Sequence, residues 1–139
     1  MTDAARFGEP PAVERLIWIC LAGAIGSGAR YLVAEWSTAR LGTGFPWGTL
    51  IVNLAGSLVI AVVSYVALRT PGFSVTLRLT ITTGFVGGFT TYSAYNYEAL
   101  RFFQEGAWAT GAAYVIATLL GCFTTGMLGF GLGRLLVGA

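Results

Sequence analysis

The sequence predicts an all-α membrane protein with four transmembrane helices, and three observations lead to this fold class. Of the 139 residues, 55% are hydrophobic and only 10% are charged, and the mean hydropathy is +0.73. A soluble domain carries about 25% charged residues, so this chain has too few charges to cover a surface in water. Four long apolar stretches, joined by short connections, leave no room for a soluble domain.

The apolar stretches are each long enough to cross a bilayer. In order, they cover residues 16–33, 47–68, 79–97 and 107–133. A helix rises about 1.5 Å per residue and the hydrocarbon core is about 30 Å thick, so about 20 residues span it. We therefore predict one four-helix domain over residues 1–139. Residues 1–12 mix both charge signs, which predicts an extramembrane tail and not a signal peptide.

Composition excludes several classes of function. The net charge is +2, from eight arginines and six acids, and the chain contains neither lysine nor histidine. The arginines are scattered and form no basic patch, so we expect no nucleic-acid partner. Without histidine there is no histidine catalysis and no histidine metal cluster, and we expect no enzyme. Cys20 and Cys122 lie in apolar stretches and are expected to be small buried hydrophobic residues outside any disulfide.

Charge gives only a weak indication of orientation. Four spans place both chain ends on one side of the membrane, which we call the terminal side, and the other is the far side. Five arginines fall on the terminal side, namely Arg6, Arg15, Arg69, Arg78 and Arg134. Three fall on the far side, namely Arg30, Arg40 and Arg101. Two interpretations stay open: insertion in both orientations, or one orientation with a modest signal.

The centre of the third stretch predicts a break in the helix. Residues 84–95 read GFVGGFTTYSAY, and each of the three glycines costs about 1 kcal/mol relative to alanine inside a helix. The hydroxyls of Thr90, Thr91 and Ser93 can satisfy freed backbone groups. The stretch is centred on residue 88, so a break there would lie at mid-membrane. Broken helices at that depth commonly form ion sites. The alternative is an intact, glycine-rich helix packed closely on a neighbour.

Polar side chains cluster toward the far side. Arg30, Asn53 and Glu98 lie near helix ends on that side. Arg30 could attract an anion, reach to the interface, or pair with Glu98. Asn53 could line a site or join two helices.

A second polar group follows the fourth stretch. Tyr114, Thr118 and Cys122 recur at i, i+4 and i+8, so they share one helix face, and Tyr92 and Tyr95 lie between the far-side cluster and mid-membrane. One copy therefore fills only half of the membrane with polar groups. An antiparallel second copy would fill the other half.

Three motifs together make the chain resemble the Fluc (CrcB) fluoride channels. They read GAIGSGARY at residues 23–31, PWGTLIVNLAG at 46–56 and GFVGGFTTYS at 84–93. The resemblance covers all four stretches in order. It implies an antiparallel, dual-topology homodimer in the inner cell membrane, crossing it several times. It also implies passive fluoride conduction that relieves fluoride toxicity.

The resemblance also implies site residues. A structural sodium ion at the dimer centre would be held by the backbone carbonyls of Gly87 and Thr90. Arg30 and Glu98 match vestibule residues. The implied ion pathway comprises Asn53, Thr91, Tyr92, Ser93, Tyr95, Tyr114, Thr118 and Cys122.

This chain departs from the family pattern in its pore aromatics. The family has a Phe-Ser-Thr-Phe run, whereas residues 92–95 read YSAY. Tyrosine keeps most of the positive ring edge that can face an anion and adds a hydroxyl donor. Cys122 stands where the family pattern has a hydroxyl residue. Both changes bear on conduction rate and selectivity.

Two other classes compete with a channel. Small multidrug resistance transporters also have four helices and dual topology, but they need a carboxylate embedded in helix 1. No acid lies between Glu14 and Glu35 here. A non-transporting assembly subunit would use its glycine faces for packing and leave the polar groups idle.

Overall fold

The computed structural model describes residues 10–138, and every regular element in that range is helical. Helix α1 spans Ala12–Leu41 and α2 spans Trp47–Arg69. A third segment, residues 75–104, consists of α3 (Val75–Leu79), a π-helical stretch (Thr80–Val86), α4 (Gly87–Phe89) and α5 (Tyr92–Gln104). Helix α6 spans Trp108–Val137. Of the predicted tail, residues 1–9 lie outside the described residues, and Ala12 already belongs to α1.

Three helices, α1, α2 and α6, are long and apolar enough to cross a membrane. With 30 residues each, α1 and α6 are about 45 Å long, which exceeds the hydrocarbon thickness. In the third segment, α3, the π-helical stretch and α4 follow one another without a gap over residues 75–89, and Thr90 and Thr91 separate this run from α5. The described chain is therefore an all-helical membrane protein with four helical segments.

All three predicted connections were too long. Residues 34–41 form the last turns of α1, residues 75–78 belong to α3, and residues 98–104 form the second half of α5. Hydropathy falls where a helix leaves the lipid, whereas the helical backbone hydrogen bonds continue to the residue at which the helix ends. Gly42 (φ +82°) and Gly106 (φ +76°) adopt the left-handed conformation that follows many helix ends.

Glycines let α1 and the third segment pack backbone to backbone. A Cβ atom on Gly26 would clash with the Phe85 carbonyl, and one on Gly88 would clash with the Gly23 carbonyl. Small residues at such positions are the usual way for helices to approach closely in lipid. This contact fixes the third segment against α1 immediately before α4 ends at Phe89.

Other glycines of α1 and α6 differ in how closely they pack. Gly129 and Gly133 of α6 face α2, where a Cβ atom would lie 2.8 Å from the Ala61 Cβ and 2.9 Å from the Tyr65 Cβ, respectively. Gly28 has open space around it, and a Cβ atom added there would have no heavy atom within 4 Å. Gly28 therefore makes no close packing contact among the described residues.

Few large side chains are buried. One cluster, Leu50, Tyr95, Ala99 and Tyr114, lies between α2, α5 and α6. The outer faces of α1 and α6 expose leucine, isoleucine and phenylalanine along their length, as a surface facing lipid requires. Cys20 also lies on the exposed face of α1, so its expected burial was wrong, while Cys122 is half-buried and both thiols are free.

Gly26→Ala tests the α1 packing. The added methyl group meets a backbone carbonyl that cannot move away, so the free energy of unfolding should fall by about 1–3 kcal/mol. Thermal unfolding in detergent, followed by tryptophan fluorescence, measures the change. Gly28→Ala is the matched control and should not lower stability; equal behaviour of the two variants would contradict this packing.

Candidate functional site

Two extended residues interrupt the helical run of the third segment. Helix α4 ends at Phe89, Thr90 and Thr91 have extended backbone (ψ 160° and 115°), and α5 starts at Tyr92. The Thr90 N–H and the Thr90 hydroxyl both donate to the Val86 carbonyl at 2.9 Å. The Thr91 hydroxyl accepts from the Ala94 N–H at 3.1 Å and so caps α5.

Asn53 of α2 binds the extended backbone through both ends of its amide. The Thr91 N–H donates to Asn53 Oδ1 at 2.8 Å, and Asn53 Nδ2 donates to the Thr91 carbonyl at 3.1 Å. A side-chain amide carries one acceptor and two donor hydrogens, so one Asn53 N–H remains free. Asn53 thus replaces the helical partners that Thr91 lacks.

This arrangement leaves two carbonyls open. In a continuous helix, the Thr91 N–H would donate to the Gly87 carbonyl and the Ala94 N–H to the Thr90 carbonyl. Here those donors go to Asn53 and to the Thr91 hydroxyl instead. Within residues 10–138, neither the Gly87 nor the Thr90 carbonyl has a hydrogen-bond donor, and Gly87 is exposed. Two backbone oxygens are therefore free to bind a cation.

An open cavity of about 350 Å³ lies beside the extended residues. None of its lining residues is charged. Thr118 is 5% exposed, and its hydroxyl oxygen is buried without a partner in the described structure. Of the predicted pathway residues, six line this cavity, namely Asn53, Thr91, Tyr92, Tyr95, Thr118 and Cys122.

The two cavity tyrosines differ in exposure. Tyr95 is 6% exposed, and its ring lies 5.4 Å from the rings of both Tyr92 and Tyr114. Tyr92 is 75% exposed and is free to meet lipid or another chain. No hydrogen bond holds the Tyr95 hydroxyl within the described part of the chain, so it is available to a bound group.

Glu98 belongs to a separate network outside that cavity. It accepts from the Tyr114 hydroxyl at 2.7 Å and from the Thr49 hydroxyl at 2.8 Å. Glu98 and Thr49 line a second depression of about 240 Å³ that also contains Arg101 and Glu105. Tyr114 is fully buried, and its single donor hydrogen is used on Glu98. Tyr114 does not line the uncharged cavity, and its pathway role stays a prediction.

Arg30 of α1 contacts the third segment just before the extended residues Thr90 and Thr91. Its Nε–H donates to the Gly88 carbonyl at 3.1 Å. The ion pair that the structure forms within residues 10–138 joins Arg101 to Glu105, so Arg30 does not pair with Glu98 as one interpretation allowed. Ser93 is exposed and shares a hydrogen bond with the Thr91 hydroxyl at 3.1 Å, outside the cavity lining.

Two residues at the site were missed from the sequence. Thr49 lies one helical turn before Asn53, and that spacing could have placed it on the same face of α2. Gly56 contacts the Thr90 side chain so closely that a Cβ atom would clash with Thr90 Cγ2. The close approach depends on how α2 meets the third segment, which no local pattern indicates.

The fold and site define a helical membrane protein with an uncharged cavity, mostly apolar in its lining surface but with a few polar groups, beside an irregular stretch of backbone. Residues 17–130 match the family model described as CrcB-like protein, Camphor Resistance (CrcB). The chain belongs to this family.

Curated relatives agree with the family match. A protein of Anaeromyxobacter dehalogenans is 44% identical over 126 residues, which cover 91% of this chain and 100% of the relative. One of Sorangium cellulosum is 43% identical over 90% of this chain and 98% of the relative. A protein of Agrobacterium fabrum is 41% identical over 84% of this chain and 93% of the relative. Each of the three is named fluoride-specific ion channel FluC.

Asn53→Asp tests the clamp on Thr91. The change removes the Nδ2 donor and places a carboxylate oxygen against the Thr91 carbonyl, so stability should fall by about 1–3 kcal/mol. Thermal unfolding in detergent measures it. Asn96→Asp adds the same charge at an exposed position of α5 and should change stability little; similar losses in both variants would show that added charge, not the clamp, is responsible.

Proposed function

We propose that this protein is a passive, fluoride-selective ion channel that exports fluoride from the cytoplasm, and that it is not an enzyme. The observation that carries the proposal is the uncharged cavity, where the buried Thr118 hydroxyl and one Asn53 N–H have no partner among the described residues. Family membership and relatives named as fluoride-specific channels support the choice of ion.

The cavity offers hydrogen-bond donors in place of water. Fluoride is small and strongly hydrated, and burying an unpaired ion costs far more than a fold can tolerate. Thr118, Asn53 and the Tyr95 hydroxyl supply donors, and no carboxylate lines the cavity to repel an anion. Separate neutral donors bind less tightly than a fixed cation would. Conduction requires such binding, because the ion must also leave.

The start of α5 adds to this attraction. Tyr92 and Thr91 line the cavity, and the first backbone N–H groups of a helix have no intrahelical acceptor. The positive end of the helix dipole therefore lies beside the cavity, where it stabilises an anion.

The complete channel in this proposal is an antiparallel homodimer in the inner membrane. Two features support it: the arginine count gives only a weak orientation signal, and the polar groups of one copy cluster toward the far side of the membrane. Gly87 and Tyr92 are exposed in the single chain, beside the proposed two-fold axis at mid-membrane. An opposed second copy would cover them and extend each half-pathway across the bilayer.

A sodium ion at the dimer centre fits the open carbonyls of Gly87 and Thr90. Sodium favours oxygen ligands, and the two-fold axis would double two oxygens to four. Within residues 10–138, no group of three or more acidic, cysteine or histidine side chains could hold a metal ion, so the backbone is the available donor set. The ion would supply fixed positive charge near the pathway, while the cavity side chains provide the anion contacts.

Efflux from liposomes tests the function. Vesicles that contain the protein should release fluoride without a proton gradient and retain chloride, when valinomycin carries compensating potassium. An ion-selective electrode follows each ion. Release that requires a proton gradient would favour the multidrug-type transporter, and retention of both ions would favour the non-transporting subunit.

Tyr95→Phe tests the added hydroxyl. Removing one donor to an anion should raise the half-saturating fluoride concentration for flux by about tenfold, since such hydrogen bonds contribute about 1.5–3 kcal/mol. The ring and its packing on Tyr92 and Tyr114 stay. Tyr97→Phe removes an exposed hydroxyl of the same helix as a control. An unchanged half-saturation in Tyr95→Phe would exclude this hydroxyl as a ligand.

A further inference from the structure

Helix α1 holds one carbonyl of the short helix α4. Arg30 Nε–H donates to the Gly88 carbonyl at 3.1 Å, and the Ser27 hydroxyl lies 3.4 Å from the same oxygen. The contact is possible because Gly88 packs directly on the backbone of Gly23, where no Cβ atom would fit. Arg30 is partly buried, and among the described residues its guanidinium has no carboxylate partner. Its side chain therefore binds backbone and not an acid.

Near Gly88, some backbone carbonyls accept a hydrogen bond and others do not. The Val86 carbonyl accepts from Thr90, and the Gly88 carbonyl accepts from Arg30. The Gly87 and Thr90 carbonyls, on either side of Gly88 in the sequence, have no donor within residues 10–138. The Arg30 hydrogen bond thus restrains the peptide between the two open oxygens.

That restraint matters because the peptide belongs to a pair of glycines. Gly87 and Gly88 have the greatest backbone freedom of any residue type, and they form the last turn of the helical run over residues 75–89, which ends at Phe89. Fraying of this last turn would scatter the directions of its carbonyls. A site that is already ordered loses less conformational entropy when it binds its ligand, and so it binds more tightly.

We propose that Arg30 is a positioning residue for a monovalent cation: it fixes the Gly88 peptide so that the carbonyls of Gly87 and Thr90 keep the directions that a cation requires. The inference rests on the proposed sodium site and assigns Arg30 a task beyond attracting anions.

The charge of Arg30 acts in the opposite direction, which makes the inference testable. A guanidinium repels a nearby cation, so if Arg30 acted by charge alone, its removal would tighten sodium binding. If Arg30 acts by holding the peptide, its removal weakens sodium binding. The sign of the change separates the two roles.

Sodium-dependent thermal stability measures the affinity without any flux. A ligand that binds only the folded state raises its stability with concentration, so a sodium titration at constant ionic strength, balanced with N-methyl-D-glucamine, gives a midpoint. We expect Arg30→Met to raise the sodium midpoint at least tenfold. Arg30→Lys keeps the charge and a flexible donor and should lie between Arg30→Met and the wild type. Arg40→Met, at an exposed position in the last turn of α1, should match the wild type.

Each outcome bears on a different claim. If the wild type shows no sodium dependence, the proposed sodium site is wrong and the inference falls with it. If the wild type responds and Arg30→Met has an unchanged or lower midpoint, the sodium site stands and the positioning role is overturned. If Arg30→Met does not fold, Arg30→Lys decides alone, because a wild-type midpoint in that variant also contradicts the role.

Discussion

The paired hydrogen bonds between Asn53 and Thr91 are the constraint on which the site depends. An extended residue inside a membrane protein leaves backbone groups that lipid cannot satisfy, at several kcal/mol for each group. A carboxamide is the one side chain that offers a donor and an acceptor side by side, in the way that a neighbouring peptide would. Asn53 does so at 2.8 and 3.1 Å. Because the Thr91 N–H is held there, the Gly87 carbonyl stays open and α5 starts as a separate helix at Tyr92.

The two ends of the interruption carry opposite partial charges. Helix α4 ends in carbonyl groups, and α5 begins with N–H groups, with Thr90 and Thr91 between them. Oxygens that suit a cation therefore lie within a few residues of the helix end that suits an anion. Ionised side chains are not needed for either, and none lines the cavity. The neighbouring acid, Glu98, is bound by the Tyr114 and Thr49 hydroxyls outside it.

Local sequence predicted what depends on local chemistry. Long apolar stretches predicted the helical segments, and the glycine and threonine run marked the region where Thr90 and Thr91 are extended. The i, i+4 spacing brought Thr118 and Cys122 to one cavity. Contacts between distant segments were not predictable: Arg30 with Gly88, Thr49 with Glu98, and the α1 face that exposes Cys20 all depend on how the helices meet. Helix ends were also missed, because hydropathy falls before helical hydrogen bonding stops.

The glycines allow this chain to combine a tightly packed contact between helices with an irregular stretch of backbone. Where Gly26 and Gly88 meet the opposing backbone, the missing Cβ atoms allow van der Waals contact that fixes α1 against the third segment. Gly88 and its neighbour Gly87 would have the greatest backbone freedom in this segment if nothing held them. A hydrogen bond from α1 reaches this weak point at Gly88, and hydrogen bonds from α2 hold the chain just after it at Thr91. Close packing therefore supplies the partners that an interrupted helix requires, and the interruption persists because two neighbouring helices complete its hydrogen bonds.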